Sequence, residues 1–155
     1  MEDRTLLRHL LAVIAYRGAK PLRDAPPSFP KHDTGGRHTP LIVLSHISDL
    51  IVWAHSIARG DGKWPNTKVG SWDDEVKRFH ATLKDFDGFL VSGADIKGEL
   101  PRLIQGPLAD AINHIGQLMM LRRMSGAPVY GENYYVADIS IGRLGPDQAP
   151  PVKPF

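Results

Sequence analysis

Apolar residues recur at steps of three and four in four segments of the chain, the spacing that lays a stripe along one side of an α-helix. In the first segment, Leu6, Leu7, Leu10, Val13 and Ile14 predict a helix from about Arg4 to Arg17, with Gly18 placed to end it. The second opens on Thr39 and Pro40, because a threonine hydroxyl caps free backbone N–H groups and proline fits the first helical position. It is expected to run to about Ala58, before Gly60. Its wheel gathers Val43, His46, Ile47, Leu50, Trp53, Ala54 and Ile57 on one face, with Ser45, Ser48, Asp49, Val52, His55 and Ser56 elsewhere. His46 is therefore expected to face the core and His55 to point away from the bundle.

The third segment follows the loop "GDGKWPNTKVG", where Ser71 and Asp74 form a capping box with a shortened acid. Trp72, Val76, Phe79, Leu83, Phe86 and Leu90 then alternate steps of four and three, which marks a buried face. Asp73, Asp74, Lys77, Lys84 and Asp85 form the solvated one. The fourth helix is expected to start at Pro107, after Gly106, with "ELPRLIQ" as a further turn before it. Its apolar arc holds Leu108, Ala111, Ile112, Ile115, Leu118 and Met119, and Asp110, His114, Gln117 and Leu121 run along one edge.

Between the first two helices, Pro21, Pro26, Pro27 and Pro30 argue against helix. The tail from Gly126 onward is rich in proline and glycine yet carries Tyr130, Tyr134 and Tyr135, so it is expected to lie against the bundle. "YYVADISI" is its one short strand candidate. The pattern thus predicts an all-α fold, a helical bundle in one domain spanning residues 1–155.

Composition changes this picture little. With 42% hydrophobic and 23% charged residues, the 155-residue chain is an ordinary globular protein, long enough to bury a core unaided. A formal net charge of +2 without a basic run gives nucleic-acid binding no support. No run of 18 apolar residues and no signal-peptide cleavage site stand out, so no membrane association and a cytoplasmic location are expected. The absence of cysteine is more decisive: disulfides, thiolate zinc sites and a cysteine nucleophile are excluded, and any metal must be held by His, Asp or Glu.

That focuses attention on "GPLADAINHIGQLMMLRRM", where Asp110 and His114 stand one helical turn apart and can point at a common atom. His46, in the apolar stripe of another helix, is the best third ligand, and facing helices of a bundle commonly build such sites. Two imidazoles and a carboxylate leave coordination positions open for water or substrate. The plainer alternative is a core histidine at 46 and a carboxylate at 110 that stabilises a helix N-terminus. His80, His9, His32 and His38 are weaker candidates, placed at stripe borders or in the proline-rich loop. Trp53, Tyr130, Tyr134 and Tyr135 are candidate pocket walls or core, and Arg122 and Arg123 either attract an anionic substrate or complement a helix C-terminus.

"TPLIVLSHISDLIVWA", "DDEVKRFHATL", "LIQGPLADAINHIGQLMMLRRMSGAPV" and "GENYYVADISIGRLG" resemble the DinB-like (damage-inducible) proteins, a four-helix-bundle superfamily that includes thiol-dependent S-transferases. The resemblance implies an up-and-down bundle of the DinB/YfiT type that binds a divalent ion through three histidines. One lies on the second helix and two lie in a His-x-x-x-His-x-Gly-Gln arrangement. The helix-two ligand falls on His46, and "DAINHIGQ" places the last histidine at His114, followed by Gly116 and Gln117. The first histidine of the pair is replaced by Asp110. The implied cofactor is zinc or nickel, with iron or manganese admitted by the carboxylate. The implied activity is a metal-dependent transferase or hydrolase acting on a small molecule, with a low-molecular-weight thiol as cosubstrate; a homodimer is a separate expectation. A non-catalytic, metal-stabilised bundle that binds a ligand or partner is the alternative.

Overall fold

The computed structural model describes residues 2–155. Its long helices are α1 (Asp3–Leu22), α2 (Pro40–Arg59), α3 (Trp72–Val91) and, after the single turn α4 (Leu100–Leu103), α5 (Ala109–Met124). They form an up-and-down four-helix bundle in which α2 lies between α3 and α5, and α1 closes the ring between α5 and α3. Among the described residues there is no sheet. "YYVADISI" forms a 3₁₀ turn at Tyr134–Val136 and then irregular chain, and the one β-type pairing is an isolated bridge between Glu132 and Pro154.

The start signals of α2 and α3 act as their chemistry requires. Thr39 Oγ1 accepts the Ile42 N–H, Ser71 Oγ accepts the Asp74 N–H, and the Ser71 hydroxyl donates back to the Asp74 carboxylate at 2.7 Å. Gly60 ends α2 in the left-handed region at φ 96°, where a side chain would be strained. The α3 stripe is core as its spacing requires, with Phe79, Leu83, Phe86 and Leu90 fully buried.

The first helix does not stop at Gly18. It continues through Pro21 to Leu22, because Gly18 is a packing socket: a Cβ there would stand 2.3 Å from Phe79 Cζ on α3. The end of α1 is instead capped from outside. The Arg122 guanidinium, buried on α5, donates from Nη1 to the carbonyls of Pro21 (2.8 Å) and Arg23 (2.9 Å) and from Nε to that of Ala127 (2.7 Å). Arg122 is thus a cap for carbonyls that the proline-terminated helix leaves unpaired, and is not available to a substrate. The proline-rich segment that follows folds over the bundle, with Phe29 buried and set edge-on to Trp72 at 5.6 Å.

The core face of α2 is broader than its wheel suggests. Leu44, Ser45, Ser48, Ile51 and Ser56 are buried beside Val43, Ile47, Leu50 and Ala54, whereas His46 is only half-buried. A helix flanked by α3 on one side and α5 on the other buries more than one stripe, and small serines fit where neighbours approach closely. The same placement accounts for the high hydropathy of α2, which by length and composition alone would suffice to cross a membrane.

The fourth helix is not a fresh start at Pro107. The chain passes from α4 through a π turn (Ile104–Leu108) into α5, kinked at Gly106 (φ −93°, ψ −105°) just before Pro107. The tail lies against the bundle as expected. Glu132 is buried with Tyr16 and Lys20 of α1, Tyr16 Oη donating to its carboxylate at 2.8 Å, and Leu144 is buried with its carbonyl on His80.

Candidate metal centre

Asp110 and His114 stand one turn apart in α5, and His46 faces them from the adjacent α2. Asp110 Oδ1 is 3.5 Å from His114 Nε2, and Asp110 Oδ2 is 4.0 Å from His46 Nε2. One ligand atom from each of the three lies within 4.8 Å of the others, and the two imidazoles meet edge to face at 4.7 Å. Among the described residues no other group of three such side chains converges. His80 is buried and bonded through Nδ1 to the Leu144 carbonyl, and His9 is exposed on α1.

His46 does not sit in the core. Its side chain is 39% exposed, against 46% for Asp110 and 20% for His114, so the cluster lies open to solvent, with His46 and His114 on the floor of a groove. A cavity of about 430 Å³ opens over it, walled by Thr34, Gly35, Gly36, His38, Val43 and Leu121. Asp110 also borders a second hollow beside Trp53 and Pro107. His38, which the sequence offered only as a loop residue, therefore faces the same space as His46 and His114.

The donor set suits a divalent cation. Tetrahedral ligands at 2.0–2.1 Å stand roughly 3.4 Å apart, and the Asp110–His114 separation of 3.5 Å already matches. His114 is held in a ligating orientation. Its Nδ1 lies 2.7 Å from Gln117 Oε1, an oxygen that only accepts, so Nδ1 is the donor there and Nε2 is the nitrogen turned to Asp110, as a ligating imidazole requires. Burial, and after it the neighbouring His114, hold His46 below the usual imidazole range against the opposing pull of Asp110 and Asp49, which favours the neutral, ligating form.

One residue of the surroundings carried no signal of site membership in the sequence. Trp64, from the loop after α2, sets its ring 5.7 Å from that of His46 and packs edge-on to Trp53 at 5.5 Å, so an aromatic wall covers one side of the cluster. Gln117 is legible on the polar edge of α5 and as the last residue of the His-x-x-x-His-x-Gly-Gln pattern that the resemblance supplies. The tyrosines stand elsewhere: Tyr134 packs on Tyr16 beneath the Arg17 guanidinium, Tyr130 borders a cavity with Lys20 and Arg122, and Tyr135 is exposed.

His55 also departs from expectation. It does not point away from the bundle but stacks on Phe86 of α3 at 5.1 Å with 12° between the rings, because α3 packs along that side of α2. It takes no part in the triad. No family model, curated protein or solved structure matches the chain, so the bundle and the convergence of the three side chains rest on its own geometry.

Proposed function

We propose that the chain binds one divalent metal ion through His46, Asp110 and His114, and that it is a metal-dependent enzyme of the DinB-like type acting on a small molecule. The observation that carries the reading is the approach of three ligand-type side chains, from two helices, at the solvent-open edge of a groove rather than in a closed core. Three protein ligands leave positions for an exchangeable group, which is the pattern of catalytic rather than structural sites. Zinc or nickel suits the imidazoles, and the carboxylate admits iron or manganese.

A bound divalent ion supplies positive charge that lowers the pKa of a thiol or water presented to it, making a nucleophile near neutral pH. The chain supplies the rest. Gln117 fixes the His114 tautomer, Asp110 offsets the charge, Trp64 and Trp53 screen one side from solvent, and the groove between α2, α5 and the loop holding His38 admits a small electrophile. Thiol-dependent S-transfer is the reaction the resemblance favours, hydrolysis the second.

The test is elemental analysis of protein prepared without a polyhistidine tag, followed by turnover of small electrophiles with low-molecular-weight thiols. His46→Ala and His114→Ala are each expected to remove most of the bound metal, and His55→Ala to leave it unchanged because that ring packs on α3. Metal content indifferent to His46 and His114 refutes the ligand assignment. Metal bound by the triad without turnover of any electrophile points instead to a ligand-binding bundle.

A further inference from the structure

On the other side of Trp64, a larger cavity of about 650 Å³ opens between α2, α3 and the loop that joins them. It contains none of the three candidate ligands. Its walls are built rather than incidental: Gly60 and Gly62 take positive φ (96° and 61°) to turn the loop back, and the Lys63 N–H donates to Ser56 Oγ at 2.8 Å. The Trp64 ring is pinned on Trp53. The Lys63 backbone is thus held beside α2.

The charges in this cavity are unevenly committed. Arg59 pairs with Asp61 at 2.9 Å, but Lys63, on the loop wall, has no carboxylate within ion-pair distance among the described residues. Asp85, on the α3 wall, likewise has no Lys or Arg within that distance among the described residues. His55 lines the same cavity, and its Nε2 is buried without a hydrogen-bond partner. Buried polar atoms are nearly always paired, and an unpaired one beside a cavity is a common mark of a site. Val52, Trp64 and Pro65 add an apolar surface.

We propose that this cavity binds a small zwitterion of the amino-acid or dipeptide class. Its carboxylate meets Lys63, its ammonium group meets Asp85 near His55, and its side chain lies against Val52, Trp64 and Pro65. A cavity lined by an ammonium and a carboxylate that are not paired with any other residue favours a ligand with both charges over one with either alone, since a singly charged ligand leaves one of them unpaired.

The experiment is calorimetric titration of the full chain with L-leucine and with leucyl-leucine, beside N-acetyl-leucine and leucinamide, which each lack one charge. Saturable binding of at least one zwitterion is expected, with both single-charge controls weaker by tenfold or more. Lys63→Gln and Asp85→Asn, both at exposed positions, should each weaken it by a similar factor without shifting the thermal melt. His46→Ala should leave it intact, so the outcome is independent of the metal assignment. Binding of neither zwitterion, equal binding of N-acetyl-leucine or leucinamide, or indifference to both substitutions overturns the proposal.

Discussion

Replacing Gly18 with alanine sets two opposed effects against each other, and the structure says which wins. In an exposed helix interior the change stabilises by about 1 kcal/mol, because glycine loses more backbone freedom on folding. Here the added methyl would lie 2.3 Å from Phe79 Cζ and 2.9 Å from Cε1, closer than carbon atoms approach. The ring has nowhere to go, since Phe79 is fully buried among Leu83, Phe86 and the α1 residues Leu11 and Ala15 in one core cluster. Overpacking a core in this way costs about 1–3 kcal/mol, and with backbone on one side and an enclosed ring on the other the upper end applies. Gly18→Ala should therefore destabilise by about 1–2 kcal/mol net, lowering the melting temperature by about 2–8 °C in a chain of this size. Urea unfolding followed by circular dichroism measures it. The control is the same substitution in a Phe79→Leu background, where the ring carbons are gone and Gly18→Ala should become neutral or stabilising. A Gly18→Ala protein as stable as the parent would sink the socket and restore Gly18 to an ordinary helix position.

Phe79→Ala should itself cost about 3–5 kcal/mol in the same assay, and a loss below about 1 kcal/mol would place the buried face of α3 elsewhere. Asp110→His should retain or tighten zinc, measured by competition with a chelator, because it supplies a third imidazole at the position where the DinB-like pattern has one; weaker zinc binding would count against Asp110 as a ligand. Glu132→Ala leaves the Lys20 ammonium and the Tyr16 hydroxyl without their buried partner, and should cost about 3 kcal/mol and free the tail to limited proteolysis; a tail still protected would show that other contacts hold it. Burial holds His80 below its ordinary value of 6.5, outweighing the bond to the Leu144 carbonyl, so the folded state takes up its proton at lower pH than the unfolded chain. Its contribution to stability is thus constant above about pH 7 and declines as pH falls below 6.5; His80→Gln should shrink the stability difference between pH 7.5 and pH 5.5 in metal-free protein, and an unchanged difference would refute it.

What could be read from the chain alone was what depends on neighbours a few residues away. The three-and-four spacing of Trp72 to Leu90 specified the buried face of α3, Thr39 with Pro40 and Ser71 with Asp74 specified two helix starts, and the one-turn separation of Asp110 and His114 brought two ligand-type groups together, because helical geometry is set by local backbone hydrogen bonds. What only the tertiary structure decided was which local signals would be overruled. Gly18 and Pro21 read as breakers, yet α1 runs through them because Phe79 needs the glycine's empty side and Arg122, from the far end of the chain, caps the carbonyls that follow. His46 and His55 exchanged their expected roles in part: a wheel gives directions around one axis, but the number and placement of neighbouring helices decide which directions are buried. With α3 and α5 both against α2, His55 packs on Phe86 while His46 is left at the rim of a groove. The placement of Trp64 over His46 and of the Lys63 backbone beside α2 had no periodic signal at all, since both belong to a loop whose path follows from two positive-φ glycines and from hydrogen bonds of the Asp61, Gly62 and Lys63 N–H groups to Ser56.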